Sequence, residues 1–164
     1  QVELKDKVSS SDEGKRAHAA ALRVVDRLRE AMPLEQFTVT SFHPGVLRAV
    51  EAHSPDVTTA LWVTKAVMAK PTNNLNPDPN KNALIDGKPN IDWLVQRARD
   101  AHADGLALGP FGATEKMLER SATEHLKIIV GDVDSAEAAE RYANDGRIES
   151  VVTEEPALVK TIQN

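Results

Sequence analysis

The sequence contains no cysteine, no excess of positive charge and no long hydrophobic run. Without cysteine, the 164-residue chain has neither disulfides nor thiolate metal sites, and its compartment stays open. Its net charge of -5 argues against a general surface for nucleic acid or anionic membranes, which would need a basic patch. No apolar run approaches the roughly 20 residues of a membrane-spanning helix. These absences exclude a DNA-binding protein, a disulfide scaffold and a membrane-spanning helix.

The remaining composition is that of a globular protein. Hydrophobic residues make up 41% of the chain and charged residues 27%, and 164 residues suffice for one domain with a real core. The chain has neither an initiator methionine nor a signal peptide, and it begins inside a predicted strand. We therefore expect residues 1–164 to be a single domain whose N-terminal part is missing.

Strands and helices alternate along the chain. Apolar residues with a period of two, or short apolar runs, predict six strands; a period of three to four predicts the helices between them. The predicted strands are residues 1–5, 37–42, 57–63, 105–109, 126–130 and 148–153. The predicted helices are residues 12–32, 44–50, 91–103, 113–125 and 135–144. Residues 65–90, rich in proline and asparagine, predict a long excursion, which we expect at the mouth of the site.

Short strands that are apolar on both faces indicate a parallel sheet covered by helices. Two architectures fit this pattern, an open doubly wound sheet and a (β/α)₈ barrel. The first strand is not followed by a glycine-rich phosphate loop, which disfavours a dinucleotide-binding sheet. The barrel is favoured, and because a closed barrel has eight strands, these residues would lack two of them.

Glu3 and Lys5 lie on one face of the first predicted strand, while Val2 and Leu4 lie on the other. From the residues alone, this face is either a solvated edge or the wall of a polar site.

Several short motifs, in order, resemble the glycerophosphodiester phosphodiesterase family, a metal-dependent (β/α)₈ barrel. Val2-Glu3-Leu4-Lys5 is similar to its "E-I-K" strand. Thr40-Ser41-Phe42-His43-Pro44, with Leu47, resembles its "S-F-D-P…L" step into a helix, and Ser54-Pro55-Asp56-Val57 its "P-D-I/V" entry to a strand. Ala143-Asn144-Asp145-Gly146 and Ser150-Val151-Val152-Thr153-Glu154-Glu155-Pro156 resemble its closing "G-V-D-G-I-I-T-D-x-P". The order and spacing of these motifs cover nearly the whole chain.

The resemblance implies a function and an incomplete site. It implies metal-assisted hydrolysis of a glycerophosphodiester to glycerol phosphate and an alcohol, with Mg²⁺ or Ca²⁺ as cofactor. Glu3 matches a metal-ligating carboxylate of the family and Lys5 the lysine beside the phosphate. The family's His-Arg-Gly and Glu-x-Asp motifs are not in this sequence, so these six strands would be the third to the eighth, and the catalytic histidines would lie in a preceding segment. That segment, or a second copy, would be needed to close the barrel.

Four further residues are candidates for contact with substrate. Phe42 and Trp62 end two strands on one side and could form an apolar wall for a glycerol or alcohol group, although core packing explains them nearly as well. His43 could touch a substrate or simply begin the helix at Pro44. Asp132 stands where the family usually has "W-T-V-N", so the pocket would be more polar there.

The remaining polar residues receive structural interpretations. Asp134 is predicted to cap the helix that follows it, and Glu154 is as consistent with a structural role as with a functional one. His18, His53 and His125 are predicted to lie at the surface, and His102 on the apolar stripe of its helix to be a core histidine.

Two other functions stay open. A sphingomyelinase D-like or phosphatidylinositol phospholipase-like barrel shares the metal chemistry, and a barrel of the same family used for binding or assembly would lack catalysis. The residues preceding Gln1 would discriminate between catalysis and binding.

Overall fold

A computed structural model of the protein describes residues 1–5, 11–64, 84–85, 88–155 and 158. The helices in this part are α1 (Ser11–Ala31), α2 (Pro44–His53), α3 (Ile91–Asp100), α4 (Glu115–Thr123) and α5 (Ala136–Ala143), with a 3₁₀ turn at Leu34–Gln36. The strands are β1 (Val2–Glu3), β2 (Val39–Ser41), β3 (Thr59–Val63), β4 (Leu84–Ile85), β5 (Lys88–Pro89), β6 (Gly105–Leu108), β7 (Lys127–Val130) and β8 (Ser150–Val151). Among these residues, no helix combines the length and hydropathy needed to cross a bilayer.

The helix ends follow local capping chemistry. Asn90 Oδ1 accepts a hydrogen bond from Trp93 N at 3.3 Å and starts α3, as predicted. Thr114 and Ser135 accept from the third residue after them in the same way and cap α4 and α5. The predicted capping role of Asp134 is therefore wrong, because the next residue, Ser135, supplies the oxygen.

One six-stranded sheet contains β1, β2, β3, β6, β7 and β8, in that order. The pairs β1–β2, β2–β3 and β7–β8 are parallel. A doubly wound sheet reverses its strand order at a switch point, whereas this order follows the chain without reversal. Six parallel strands alternating with helices in chain order are the predicted (β/α)₈ arrangement, with two strands fewer than a closed barrel.

The chain divides into two compact units. The first unit comprises Gln1–Trp62 and Arg97–Gly105, and the second comprises Val63–Gln96 and Leu106–Asn164. In the first unit, Val25 of α1, Val39 of β2 and Val50 of α2 share a buried cluster, against which Leu4 packs. Leu4 and Val39 thus face the helices. By the alternation of strands, Glu3 and Thr40 face the opposite side of the sheet.

The second unit has its own buried strands and helix faces. Its fully buried large side chains are Leu94, Leu106, Leu108, Met117, Leu118, Ile128 and Ile129. All described residues of β6 are buried, as expected for a parallel strand covered on both faces. β4 and β5 pair with each other in antiparallel fashion, Leu84 opposite Pro89. Residues 65–83 of the predicted excursion lie outside the described residues, so its location at the mouth stays a prediction.

Candidate active site

The first unit brings four of the predicted site residues to one face of the sheet. The register pairs Glu3 with Thr40 and Thr40 with Ala60, which makes one row of side chains. Two residues further along the chain are Lys5 and Phe42, just past the ends of β1 and β2, and Trp62 within β3. The Lys5–Glu3 ion pair and the Phe42–Trp62 stack place them in a second row on the same face. Both rows lie on the face turned away from α1 and α2. Because the second row is at the carboxyl end of the strands, it lies where barrel enzymes build their sites.

Glu3 and Lys5 form an asymmetric ion pair. Lys5 Nζ lies 3.5 Å from Glu3 Oε2, and the Lys5 side chain is 79% exposed whereas that of Glu3 is 26% exposed. The second carboxylate oxygen, Glu3 Oε1, is buried and has no hydrogen-bond partner among the described residues. A buried carboxylate oxygen without a donor is costly unless a cation or another donor satisfies it.

That oxygen fits a hard cation, but as one ligand among several. Mg²⁺ and Ca²⁺ take six or more oxygen ligands. Within residues 1–5, 11–64, 84–85, 88–155 and 158, no group of three or more acidic or histidine side chains could hold a metal ion. Any further protein ligands would have to come from other residues.

Phe42 and Trp62 stack on one another. Their ring centroids are 5.9 Å apart and the ring planes differ by 18°. Trp62 is 7% exposed and so belongs to the core, whereas Phe42 is 37% exposed. Core packing therefore describes Trp62, which supports the stack from below the surface. The apolar wall describes Phe42, whose ring is accessible to a ligand.

Thr40, to which the motif comparison assigned no role, joins three parts of this face. Its hydroxyl oxygen accepts hydrogen bonds from Trp62 Nε1 at 3.1 Å and from Gln1 Nε2 at 3.0 Å. The residue is fully buried. The strand register is the feature that could have identified Thr40 as part of the site, since it places Thr40 beside Glu3 in the row that precedes the row of Phe42.

His43 lies at the start of α2. Its backbone carbonyl accepts from Val46 N at 3.0 Å, and its backbone N–H donates to Ser41 Oγ at 3.2 Å. The residue is half-buried, with extended backbone angles at the N-cap position of α2. This placement accounts for helix entry, and contact with substrate stays a prediction.

Asp132 lies in the second unit, two residues after the end of β7. It is exposed and has a φ of 55°, in the left-handed region that aspartate tolerates better than most residues. Its Oδ2 lies 3.5 Å from the place where a Cβ on Gly109 would be, so its carboxylate stands beside the loop that follows β6. Its contact with substrate stays a prediction.

A charged cluster in the second unit links α4 to the loop before β8. Arg147 donates to Asp145 Oδ1 from Nε at 2.8 Å and to Asp145 Oδ2 from Nη2 at 2.6 Å. It also donates to both carboxylate oxygens of Glu115, at 2.5 and 3.1 Å. These hydrogen bonds lower the pKa of Asp145 to about 2, lower the pKa of Glu115 and raise the pKa of Arg147. Every oxygen of the cluster is thus engaged, which makes it a structural tie.

The exposure of the other four histidines differs in part from the prediction. His102 is exposed, with a φ of 53° just after α3, so its predicted place in the core is wrong. His53 is exposed, as predicted, and its Nε2 lies 2.8 Å from Asp26 Oδ1. His125 is exposed, and His18 is half-buried with its ring beside Gly45.

The strand order and the alternating helices define a partial (β/α)₈ barrel, and solved structures with this fold exist. A glycerophosphoryl diester phosphodiesterase from Silicibacter pomeroyi matches with a TM-score of 0.68 at 19% identity, over 98% of this chain and 48% of its own. One from Galdieria sulphuraria matches with a TM-score of 0.62 at 18% identity, over 99% of this chain and 56% of its own.

A third match is an Oleispira antarctica phosphodiesterase in complex with the product sn-glycerol-3-phosphate. Its TM-score is 0.63 at 14% identity, over 99% of this chain and 54% of its own. This chain therefore spans about half the length of these structures. No protein-family model and no curated protein matches it. The resemblance predicted from the motifs is confirmed at the level of the fold.

Proposed function

We propose that these residues belong to a metal-dependent phosphodiester hydrolase that converts glycerophosphodiesters to glycerol phosphate and an alcohol. The observation that carries the proposal is the first-unit face on which Glu3, Lys5 and the Phe42–Trp62 stack meet at the carboxyl ends of β1, β2 and β3. The fold shared with three phosphodiesterase structures supports it.

Each residue on this face has a chemical task that suits a phosphodiester. The buried, unpartnered Glu3 Oε1 would serve as one ligand of Mg²⁺ or Ca²⁺. A divalent cation, when bound, offsets the charge that develops on the phosphoryl oxygens. The exposed Lys5 ammonium would attract and orient the same anion, and Phe42 would cover the carbon skeleton of the glycerol or alcohol group.

The acid and base of the reaction would come from outside these residues. Neither His-Arg-Gly nor Glu-x-Asp occurs in residues 1–164, and among the described residues Glu3 has no histidine in its face of the sheet. Proton transfer to the leaving alcohol needs a group within hydrogen-bond reach. We therefore propose that a preceding segment supplies the catalytic histidines together with the first two strands.

The test is hydrolysis of glycerophosphocholine by the full-length protein, with Mg²⁺ and with Ca²⁺, before and after the change Glu3→Gln. We expect kcat/KM to fall on the order of 10²-fold or more, since several kcal/mol of charge stabilisation depends on the ion. Glu35→Gln, the same change at an exposed carboxylate of the 3₁₀ turn, is the matched control and should leave the rate unchanged.

Two outcomes would contradict the proposal. Equal activity of Glu3→Gln and the wild type would show that Glu3 is not a ligand. Tight binding of glycerol 3-phosphate or the diester with no turnover under either cation would favour a binding barrel of the same fold.

A further inference from the structure

The hydroxyl group of Thr40 has a bonding pattern that leaves it little freedom. It accepts from two N–H donors, Trp62 Nε1 and Gln1 Nε2, at 3.1 and 3.0 Å. Its own proton points to Val2 O at 3.5 Å, a long contact. A hydroxyl has two acceptor sites and one proton, so all three are directed here. Since Thr40 is β-branched and fully buried, its χ1 torsion is restricted as well.

The Trp62 indole depends on this oxygen. An indole has one polar hydrogen and no acceptor, and a buried indole N–H normally needs a partner. Trp62 is 7% exposed, and Thr40 Oγ1 is the acceptor that it reaches. The bond fixes the rotation of the indole about its side-chain torsions, which apolar packing alone would leave less defined.

The orientation of the Trp62 indole in turn restricts the orientation of the Phe42 ring, because the two rings stack. Phe42 is 37% exposed, so little of the surrounding core holds its ring, whereas Trp62 lies 5.9 Å away and nearly parallel to it. Thr40 lies on β2 and Phe42 follows the end of that strand, and both contact Trp62: Thr40 through the hydrogen bond and Phe42 through the ring stack. A single buried oxygen therefore sets the geometry of a ring that reaches the solvent.

We infer that Thr40 is a positioning residue of the candidate site: its hydroxyl fixes the Trp62 indole and, through the ring stack, the surface that Phe42 presents to a bound substrate. The link to substrate rests on the proposed function, whereas the link to Trp62 does not. The same hydroxyl also accepts from Gln1, the residue before β1, and so links the start of β1 to β2, which holds the row carrying Glu3 beside the aromatic pair.

The first measurement needs no activity. In the full-length protein, ¹H–¹⁵N spectra resolve indole N–H signals, and the signal of Trp62 is identified by its loss in Trp62→Phe. Thr40→Val keeps the branched shape and removes the hydroxyl. We expect the Trp62 indole signal to move upfield and its hydrogen exchange to accelerate roughly tenfold, because a buried hydrogen bond protects against exchange. In the wild type, a nuclear Overhauser contact should join the Trp62 indole proton to the Thr40 side chain, and its absence would overturn the inference even where the valine variant fails to fold.

Two variants serve as controls. Thr40→Ser retains the hydroxyl and should restore both the chemical shift and the slow exchange. Thr38→Val makes the same change at a half-buried threonine just before β2 and should leave the Trp62 signal in place.

The second measurement connects the position of the rings to substrate. For glycerophosphocholine hydrolysis, Thr40→Val should raise KM roughly tenfold with kcat nearly unchanged, since a misplaced binding surface removes binding shared by the ground and transition states. Thr40→Ser should restore KM.

The outcomes separate the two claims. An unchanged Trp62 signal in Thr40→Val would overturn the inference. A shifted signal with unchanged KM in an active enzyme would overturn the link to substrate. The third outcome combines a shifted Trp62 signal in Thr40→Val with a wild-type protein that hydrolyses no glycerophosphodiester. It would refute the proposed function and leave Thr40 as the residue that positions Trp62.

Discussion

The two charged residues of β1 and its end show how exposure separates stability from function. Lys5 is 79% exposed, and an exposed ion pair contributes little to folding because solvent and salt screen it. Glu3 gains little from that pair, yet one of its oxygens is buried without a donor among the described residues. A residue that costs folding free energy and is not compensated by its neighbours is typical of a site whose ligand supplies the missing contact.

Asp145 gives a residue-scale prediction that depends on pH. The hydrogen bonds from Arg147 hold its pKa at about 2 in the folded protein, against an ordinary value of 3.8. A carboxyl group with a lowered pKa stabilises the fold above its ordinary pKa, and this stabilisation is lost as the pH falls towards the folded pKa. Asp145→Asn should therefore lower the urea midpoint of unfolding at pH 7, and the difference from the wild type should shrink between about pH 4 and pH 2.

Urea titrations at several pH values measure that difference. Asp134→Asn is the matched control, because Asp134 is exposed and does not provide the cap of α5. A gap between Asp145→Asn and the wild type that stayed constant down to pH 2 would show that the Arg147 contact does not set the pKa.

Single residues were the hardest feature to predict from the sequence. A period of two sufficed to place Glu3 and Lys5 on one face of their strand. The register of β1, β2 and β3 was needed to bring Phe42 and Trp62 to the same face. The tie between Arg147 and Glu115 joins residues 32 positions apart, which spacing alone cannot reveal. His102 has an apolar neighbourhood in the sequence, but α3 ends at Asp100 and the chain turns left-handed there, so the helical period no longer applies.

At the scale of elements, the helix caps support a quantitative prediction. Thr114 Oγ1 accepts from Met117 N at 3.3 Å and so satisfies one of the free N–H groups of the first turn of α4. Thr114→Ala should lower the free energy of unfolding by about 1 kcal/mol. Chemical denaturation measures the change.

Thr123, in the last turn of the same helix, offers the control. Its hydroxyl donates to Glu119 O at the exposed surface, so Thr123→Ala should alter stability by less than about 0.5 kcal/mol. Equal effects of the two substitutions would contradict a specific role for the cap.

Elements were predicted better than side chains because several local signals agree at each boundary. Pro33 follows the end of α1, Pro44 begins α2 and Asn90 caps α3, as the sequence indicated. The β4–β5 pair was not predicted. Each of its strands has two residues, too few for a period to be seen, and proline at position 89 disfavours a strand.

At the scale of the whole molecule, the described sheet has an edge strand, β1. In the described part of the chain, β1 ends the sheet and pairs on one side with β2. Beside it lies a groove of about 440 Å³ lined by Leu4, Ala20, Ala21, Val24 and Val46 together with Glu3 and Lys5, and Val24 is 39% exposed. An open edge strand next to apolar side chains favours association with further polypeptide.

We therefore predict that residues 1–164 alone do not form a stable monomer. Size-exclusion chromatography and ¹H–¹⁵N spectra should show aggregation or poor dispersion for this chain, and a stable monomer for a longer chain that supplies two more strands. A defined dimer of residues 1–164 would indicate that a second copy covers the edge, and a well-dispersed monomer would contradict the prediction.

The register of β1 against β2 limits where insertions and deletions can occur in the chain. Glu3 faces the site and Leu4 the helices because each residue occupies one step of the pleat, and a shift of one step exchanges the two faces. With the preceding residues held in register, deleting Val2 or inserting one residue before Glu3 would direct Leu4 to the site and the Glu3 carboxylate to the hydrophobic layer. Insertions and deletions in related proteins should therefore accumulate in the connections and be rare, or occur in pairs of residues, within this strand.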